Sequence, residues 1–146
     1  MDKGSSSIIV ACDGSDQARS AAKLGGSLAS ALGQPLKLLT VFPESKASNL
    51  VLAGVGGDTM QAEKQKYARA AFDAAREVLG DGVEPEDEVI LRGDPAHEIL
   101  EYMQNNPGSH LILGRRGYSA IRSLTLGSVS EKIVRHATGP VTIVGA

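Results

Sequence analysis

Hydrophobic residues along this chain follow two alternating patterns. Short continuous apolar runs, such as Ser7–Asp13 and Leu36–Phe42, are separated by longer stretches in which apolar residues recur every three or four positions. The short runs are typical of strands buried on both faces of a parallel sheet, and the longer period is typical of amphipathic helices. The pattern predicts five strands, at residues 7–13, 36–42, within 83–92, 110–113 and 141–144.

Capping residues and helix breakers place the helices between these strands. Ser15 and Asp94 are suitable N-caps, Pro95 suits the first helical position, and Gly33 suits a helix end. The predicted helices run from Ser15 to about Leu32, from Thr59 to Leu79, from Pro95 to about Asn105 and from Val129 to His136. This alternation predicts an α/β fold with a mainly parallel sheet and right-handed crossovers.

The first predicted helix has an inward face made largely of small residues. They recur at helical spacing and are Ala18, Ala21, Ala22, Gly25, Leu28 and Ala29. Small side chains let two backbones approach closely, so we expect this helix to lie close against the sheet.

The segment Glu44–Asp58 has no clear period and contains Ser, Asn and three glycines. It is predicted to be a mobile loop of about a dozen residues, a length that in compact domains is usually functional or disordered. Because it leaves the end of a strand, it could fold over a site there. It could equally be an insertion without a role.

Composition and charge narrow the class of protein. The 146 residues suffice for one domain, 1–146, and 42% apolar with 22% charged residues is a soluble globular balance. A net charge of −2 and few aromatic residues give no case for nucleic-acid or anionic-membrane partners. With one cysteine and no signal-peptide pattern at the N-terminus, a cytoplasmic location is expected.

The strongest chemical signal follows the fourth predicted strand. His110–Leu113 ends in Gly114, and a loop carrying Arg115, Arg116, Gly117 and Arg122 leads to Gly127-Ser128 and a helix. Glycines let backbone N–H groups approach a ligand, and a helix start offers unpaired donors and a positive dipole end. These features together favour a phosphate. Ser128 with Glu131 also fits a capping box, which needs no ligand.

Other phosphate-binding classes lack their motifs in this chain. It has no P-loop sequence G-x-x-x-x-G-K-[ST], and Asp-Gly-Ser after the first strand replaces the G-x-G-x-x-G of dinucleotide folds. A response-regulator receiver would share Asp13 and Asp16 after strand 1. It would also need an aspartate ending strand 3 and a lysine after strand 5, where the chain has a displaced Asp94 and no lysine.

Side chains suited to catalysis are sparse. Cys12 lies among apolar neighbours and is expected to be a buried structural thiol, and His97 is expected to be a solvated surface residue, with no metal site. Ser128 and His136 are eight residues apart on one predicted helix, too far to act together. A phosphate site without a placed base would give slow hydrolysis at best.

Four sequence motifs in order resemble the universal stress protein family. Gly114-x2-Gly117-x9-Gly127-Ser128 resembles the nucleotide-binding motif of its ATP-binding branch. The likeness extends to Ile8–Ser15, to Gly93-Asp94-Pro95 and to Gly139–Val144, and so covers nearly the whole chain. It implies a single five-stranded parallel sheet of order 3-2-1-4-5 with helices on both faces, a Rossmann-like or flavodoxin-like layout. In that order a crevice opens beyond the carboxyl ends of strands 1 and 4, where Asp13 and Gly114 would meet.

The resemblance also implies ATP as the ligand, with Mg bound through the phosphates. Asp13 and the backbone at Val41 would contact adenosine, the glycine loop would line the ribose and phosphate path, and the helix start would hold the phosphates. The full set of expected contacts is Cys12, Asp13, Val41, Leu113, Gly114, Arg116, Gly117, Gly127, Ser128, Val129 and Ser130. The pair Arg115-Arg116 makes this loop more basic than the motif requires, so a more highly charged ligand is conceivable.

The expected function is that of a small ATP-binding stress-response protein in which nucleotide occupancy acts as a switch or sensor. The alternatives are a ligand-free interaction module of the same fold and a weak ATPase or phosphotransferase. Strand 5, Val141–Val144, is uncharged and β-branched, and in the implied order it lies at the sheet edge. We expect a homodimer through Val141, Thr142, Ile143 and Val144. A further, unidentified protein partner is compatible with this expectation.

Overall fold

The computed structural model describes residues 6–115 and 126–145 of the chain. Five strands, all parallel, form one sheet: β1 Ser7–Ala11, β2 Leu36–Pro43, β3 Asp87–Gly93, β4 Ser109–Gly114 and β5 Val141–Val144. The helices are α1 Asp16–Leu32, α2 Glu44–Leu52, α3 Gly57–Arg76, α4 Pro95–Asn105 and α5 Ser128–His136. The sheet order is β3-β2-β1-β4-β5, which confirms the order implied by the resemblance.

Each face of the sheet carries its own hydrophobic core. Ile8 and Val10 of β1 point into a core shared with α1 and α3, whereas Ile9 and Ala11 point into a core shared with α4 and α5. All four residues are at most 4% exposed. This double burial explains why the central strands are apolar at successive positions and do not alternate with polar residues.

Helix α1 lies close to the sheet because its inward face is small, as predicted. A Cβ atom built on Gly25 would overlap the Cγ2 atom of Val10 in β1. Ala21 and Ala22 beside it are fully buried. The close packing of α1 holds its first turn against the carboxyl ends of β1 and β4.

The prediction of a mobile loop over 44–58 was wrong. Residues Glu44–Leu52 form α2, and α3 begins at Gly57. Ala47 is fully buried and packs with Phe42 and Met60, and Leu50 covers them. This contact with residues outside the segment stabilises a short helix that the local sequence alone does not indicate.

Other predicted boundaries are close to the observed ones. Helix α3 ends at Arg76, three residues before the predicted Leu79, and Val78 and Leu79 pack on the core from a turn. Helix α5 begins one residue earlier than predicted, at Ser128. Across residues 6–115 and 126–145, none of the helices combines the length and apolarity needed to cross a bilayer.

Candidate functional site

A cavity of about 470 Å³ opens at the carboxyl end of the sheet. This volume is within the range of ~300–1,000 Å³ that is usual for small-molecule sites. Its walls come from the turn after β1, the end of β2, the starts of α2, α4 and α5, and the middle of α3. The lining residues are Asp13, Pro43, Ser45, Lys46, Tyr67, Pro95 and Val129. We call this cavity the crevice. It lies where the strand order reverses between β1 and β4, the usual ligand position in such sheets.

Asp13 enters the crevice from the turn that follows β1. Its Oδ1 accepts the N–H of Ser15 at 2.9 Å, and Ser15 Oγ in turn accepts the N–H of Ala18 at 3.1 Å, which caps α1. Gly14 between them has φ +83°, a conformation that glycine adopts without strain. The turn therefore holds the carboxylate through Oδ1, and Oδ2 takes no part in the bond to Ser15.

The end of β1 is also fixed from β2. Thr40, fully buried, donates its hydroxyl to the carbonyl oxygen of Cys12 at 2.5 Å, and the Cys12 N–H donates to Leu39 O at 2.7 Å. These bonds hold the backbone just before Asp13. The position of the Asp13 carboxylate is therefore determined by the hydrogen bonding between β1 and β2.

Gly114 ends β4 in tight contact with α1. A Cβ atom there would lie 2.8 Å from Gln17 Cβ and 3.0 Å from its carbonyl carbon. The Gly114 carbonyl oxygen accepts the hydroxyl of Ser130, which is 2% exposed, at 2.9 Å. Glycine at this position is thus required by the packing of the protein on itself, whatever binds nearby.

Two further backbone bonds tie the start of α5 to the sheet. Arg115 donates its N–H to Val144 O of β5 at 2.9 Å, and Gly127 donates its N–H to Arg115 O at 3.0 Å. The Nε atom of Arg115 is buried and has no hydrogen-bond partner among residues 6–115 and 126–145. Arg116 and Gly117, which the sequence placed on the phosphate path, lie outside the described residues.

The predicted capping box at Ser128 is not formed. Gly127 occupies the N-cap of α5 and has no side chain that could cap it, and Ser128 is already the first helical residue and is exposed. Glu131 pairs with Arg135 at 3.2 Å. Within residues 6–115 and 126–145, the N–H groups of the first turn therefore have no side-chain cap, as an anion site requires.

Three of the residues expected to contact ligand have their side chains in the core. Cys12, Val41 and Leu113 are at most 3% exposed and belong to the two buried clusters. Burial raises the pKa of the Cys12 thiol to about 12, so it is protonated at neutral pH and is not a nucleophile. Any contact that these residues make with a ligand must come from their backbone.

Lys46 and Tyr67 line the crevice but were not among the expected contacts. Lys46 lies on α2, where the sequence predicted a loop, and Tyr67 lies in the middle of α3. Burial, with a smaller contribution from the charge of Asp13, raises the pKa of Tyr67 to about 12. The phenol is therefore a neutral hydrogen-bonding group in the crevice. Lys46 is the positively charged side chain among the residues that line the crevice. For Tyr67 the available signal in the sequence was its helical spacing from Ala71 and Ala74, which share its face of α3.

A group of possible metal ligands lies on α4. His97, Glu98 and Glu101 bring ligand atoms within 4.8 Å of one another, and His97 and Glu101 are exposed, as expected for His97. Carboxylates often gather in this way on solvated helix faces. The group is separate from the residues that line the crevice.

The universal stress protein family matches residues 5–145. The chain belongs to this family. It is 32% identical to the universal stress protein YxiE of Bacillus subtilis, over 94% of this chain and 97% of that protein. A universal stress protein of Thermus aquaticus is 34% identical over 94% of this chain and 96% of the relative.

Solved structures of the family share the fold of this universal stress protein. UspA of Lactobacillus plantarum has a TM-score of 0.74 and 25% identity, over 98% of this chain and 99% of that one. A universal stress protein in complex with cAMP has a TM-score of 0.67 and 24% identity, covering 98% of each chain. An Archaeoglobus fulgidus protein in complex with dAMP has a TM-score of 0.65 and 23% identity, covering 95% of this chain and 97% of that one.

Proposed function

We propose that this universal stress protein binds ATP in the crevice and that nucleotide occupancy acts as a regulatory switch. One observation carries the proposal: Asp13, at the end of β1, and Val129, in the first turn of α5, line the same cavity. A fixed carboxylate and a helix start whose N-cap is a glycine thus share one small-molecule site. The first suits hydroxyl or amine donors of a nucleoside, and the second suits phosphate oxygens.

Two fold neighbours support an adenine nucleotide. One was solved with cAMP and another with dAMP, and both ligands pair adenosine chemistry with a phosphate. Those complexes concern other proteins. They support the same ligand class here because the chain has the same fold and a cavity at the carboxyl end of the sheet.

The proposed binding mode follows the chemistry of each wall. Asp13 and the backbone at Val41 would contact adenosine, because both belong to the ends of central strands. Gly127, Ser128, Val129 and Ser130 would hold the phosphates through backbone N–H groups. The exposed Ser128 hydroxyl would add a contact, whereas the Ser130 hydroxyl is already bonded to Gly114. Mg would enter bound to the phosphates and neutralise part of their charge.

A switch fits the crevice better than a catalytic site. Among the described residues that line it, Asp13 is the one carboxylate, and one of its oxygens is engaged by Ser15. Tyr67, with a pKa of about 12, is a poor base at neutral pH. We therefore expect slow ATP hydrolysis at most.

We also place the protein in the cytoplasm, where ATP is abundant and a lone thiol stays reduced.

Native mass spectrometry of the purified protein tests the proposal directly. An adenine nucleotide that remains bound would support it, and its identity would distinguish ATP from other adenine nucleotides. Calorimetric titration of nucleotide-free protein with ATP and Mg gives the affinity. A folded, nucleotide-free protein that shows no heat of binding at millimolar ATP would refute it in favour of an interaction module.

A further inference from the structure

A second cavity of about 450 Å³ lies beside the crevice, between the end of β2 and helices α2 and α3. We call it the side cavity. Its lining residues are Phe42, Lys46, Asn49, Leu50, Glu63, Lys66, Tyr67 and Ala70. Only Lys46 and Tyr67 also line the crevice, whereas Asp13 and Val129 are absent from the side cavity. The two cavities are therefore neighbours with a shared wall, and the proposed nucleotide contacts leave the second one unused.

The inner wall of the side cavity is apolar. Phe42 is 2% exposed and meets the Tyr67 ring edge-on, with 5.5 Å between ring centroids. Leu50 packs on the same cluster from α2, and Ala70 leaves room at the rim on α3. Such a surface favours an aromatic or aliphatic group of limited size.

The rim of the side cavity carries a net positive charge. The lining includes two lysines, Lys46 and Lys66, and one carboxylate, Glu63. The formal net charge of the lining side chains is therefore +1. Lys46 Nζ lies 5.9 Å from the centroid of the Tyr67 ring, over its face. Neither lysine forms an ion pair within 4.0 Å in the described part of the chain, so both ammonium groups are available to a ligand.

We propose that the side cavity binds a small carboxylic acid with an apolar or aromatic body. The body would lie against Phe42 and Leu50, and the carboxylate would lie at the rim beside Lys46 and Lys66. This proposal does not depend on the nature of the ligand in the crevice, because the two cavities are lined by different residues apart from Lys46 and Tyr67.

Three probes of one shape and different charge test the chemistry. Nucleotide-free protein would be titrated with 4-phenylbutyrate, neutral 4-phenylbutanol and cationic 4-phenylbutylamine, with amide shifts followed by NMR. We expect the acid to shift resonances of α2, α3 and the end of β2, and to bind about fivefold more tightly than the alcohol, as one exposed ion pair allows. Equal affinity of acid and alcohol, or shifts centred on α5, would overturn the proposal.

Matched substitutions on α3 test the location. Ala70→Phe should fill the cavity and weaken 4-phenylbutyrate binding at least about tenfold, whereas Ala62→Phe, also exposed on α3 but outside the lining, should leave it unchanged. Lys66→Gln should weaken binding about two- to fivefold, and Lys64→Gln should have no effect. Loss of binding with both phenylalanine variants, or with neither, would exclude this cavity as the site.

Discussion

Two serines in the first turn of α5 show how position decides the role of a residue. Ser130 is buried and its hydroxyl donates to the carbonyl oxygen of Gly114 at 2.9 Å, which joins the helix to β4. Ser128 is exposed, stands after the N-cap and is not needed by the fold in that way. Ser130 therefore has a structural role, whereas the proposed role of Ser128 is to contact the ligand, and measurement can separate the two.

Replacing Ser128 with alanine should affect ATP affinity more than stability. Because Ser128 does not cap α5, Ser128→Ala should change the free energy of unfolding by no more than ~0.5 kcal/mol. Ser130→Ala is the matched comparison and should cost about 1–2 kcal/mol, since it removes a buried hydrogen bond. Urea denaturation and ATP calorimetry measure both effects. Unchanged ATP affinity in Ser128→Ala would remove its hydroxyl from the site.

Gly127 offers a sharper test of the phosphate contacts. Its φ of −67° and ψ of 164° are open to any L-residue, so Gly127→Val should not strain the backbone. We expect ATP affinity to fall about a hundredfold or more, because two or three charge-assisted hydrogen bonds of ~1.5–3 kcal/mol each would be lost.

The control for Gly127→Val is Gly57→Val. Gly57 is the first residue of α3, has open space around its Cα and lines neither cavity. This variant should bind ATP like the parent protein. If folded Gly127→Val also retained full affinity by calorimetry, the start of α5 would not be the phosphate site.

At the level of elements, the contact of α1 with β1 depends on the absence of a side chain. Gly25→Ala places a methyl group on Val10 and should destabilise the protein by about 1–2 kcal/mol. Overpacking costs ~1–3 kcal/mol, and the better helix propensity of alanine returns part of it. Gly57→Ala, with open space, should be neutral or slightly stabilising. Thermal denaturation showing Gly25→Ala as stable as Gly57→Ala would disprove this account of the packing.

Helix α3 is joined to β3 by a shared carboxylate. Glu88 accepts hydrogen bonds from Arg69 Nη2 at 2.9 Å and from Arg76 Nε at 2.8 Å. The Arg69 guanidinium, followed by that of Arg76, holds the pKa of Glu88 below its usual value, although burial opposes this. A carboxyl with a lowered pKa in the folded state contributes stability above its unfolded pKa of ~4.3, and that stability is lost as pH falls through the folded value.

The effect of Glu88→Gln on the free energy of unfolding should therefore depend on pH. At pH 7 we expect a loss of about 1 kcal/mol, kept small because the two arginines are solvated, and below the folded pKa the difference from the parent should vanish. The Glu84 side chain is 82% exposed, so Glu84→Gln should change the free energy of unfolding little at either pH. Urea denaturation at pH 7 and pH 3 gives the comparison, and a loss that is equal at both pH values would contradict it.

At the level of the whole molecule, β5 has a free side. It pairs with β4 alone in the described sheet. The carbonyl oxygen of Val144 accepts the N–H of Arg115, just after β4, and that of Pro140, just before β5, accepts the N–H of Leu111. Because residues two apart in a strand point their backbone groups the same way, those of Val141 and Ile143 point away from β4. An unpaired, uncharged strand edge favours pairing with a second copy about a two-fold axis.

We therefore expect a homodimer through β5, as proposed from the sequence. Val141→Lys or Ile143→Lys should give monomers, because two lysines would meet across the axis, while the long lysine stem still covers the core beneath. Light scattering measures the mass, and ATP calorimetry verifies that the variant remains folded and competent. A parent protein that sediments as a monomer at tens of micromolar would refute the proposal.

The alternation of strands and helices could be predicted from the sequence because it depends on period and caps. Continuous apolar runs such as Ile8–Ala11 identify strands with a core on each face, and Asp94 with Pro95 identifies the start of α4. The small residues of α1 likewise predicted its close approach to β1. These features are local, so a single segment contains all the information needed to recognise them.

Only the tertiary structure decided the features that depend on contacts between distant segments. Glu44–Leu52 is helical because Ala47 and Leu50 bury themselves against Phe42 and Met60, not because of its own period. The capping box at Ser128 was a valid local motif, but the bond from Gly127 to Arg115 sets the start of α5 and makes glycine the N-cap. Lys46 and Tyr67, 21 positions apart, meet at the crevice only because α2 and α3 pack together at the end of β2. Local sequence sets most of the elements, but α2 and the group of side chains at the site depend on how the elements pack.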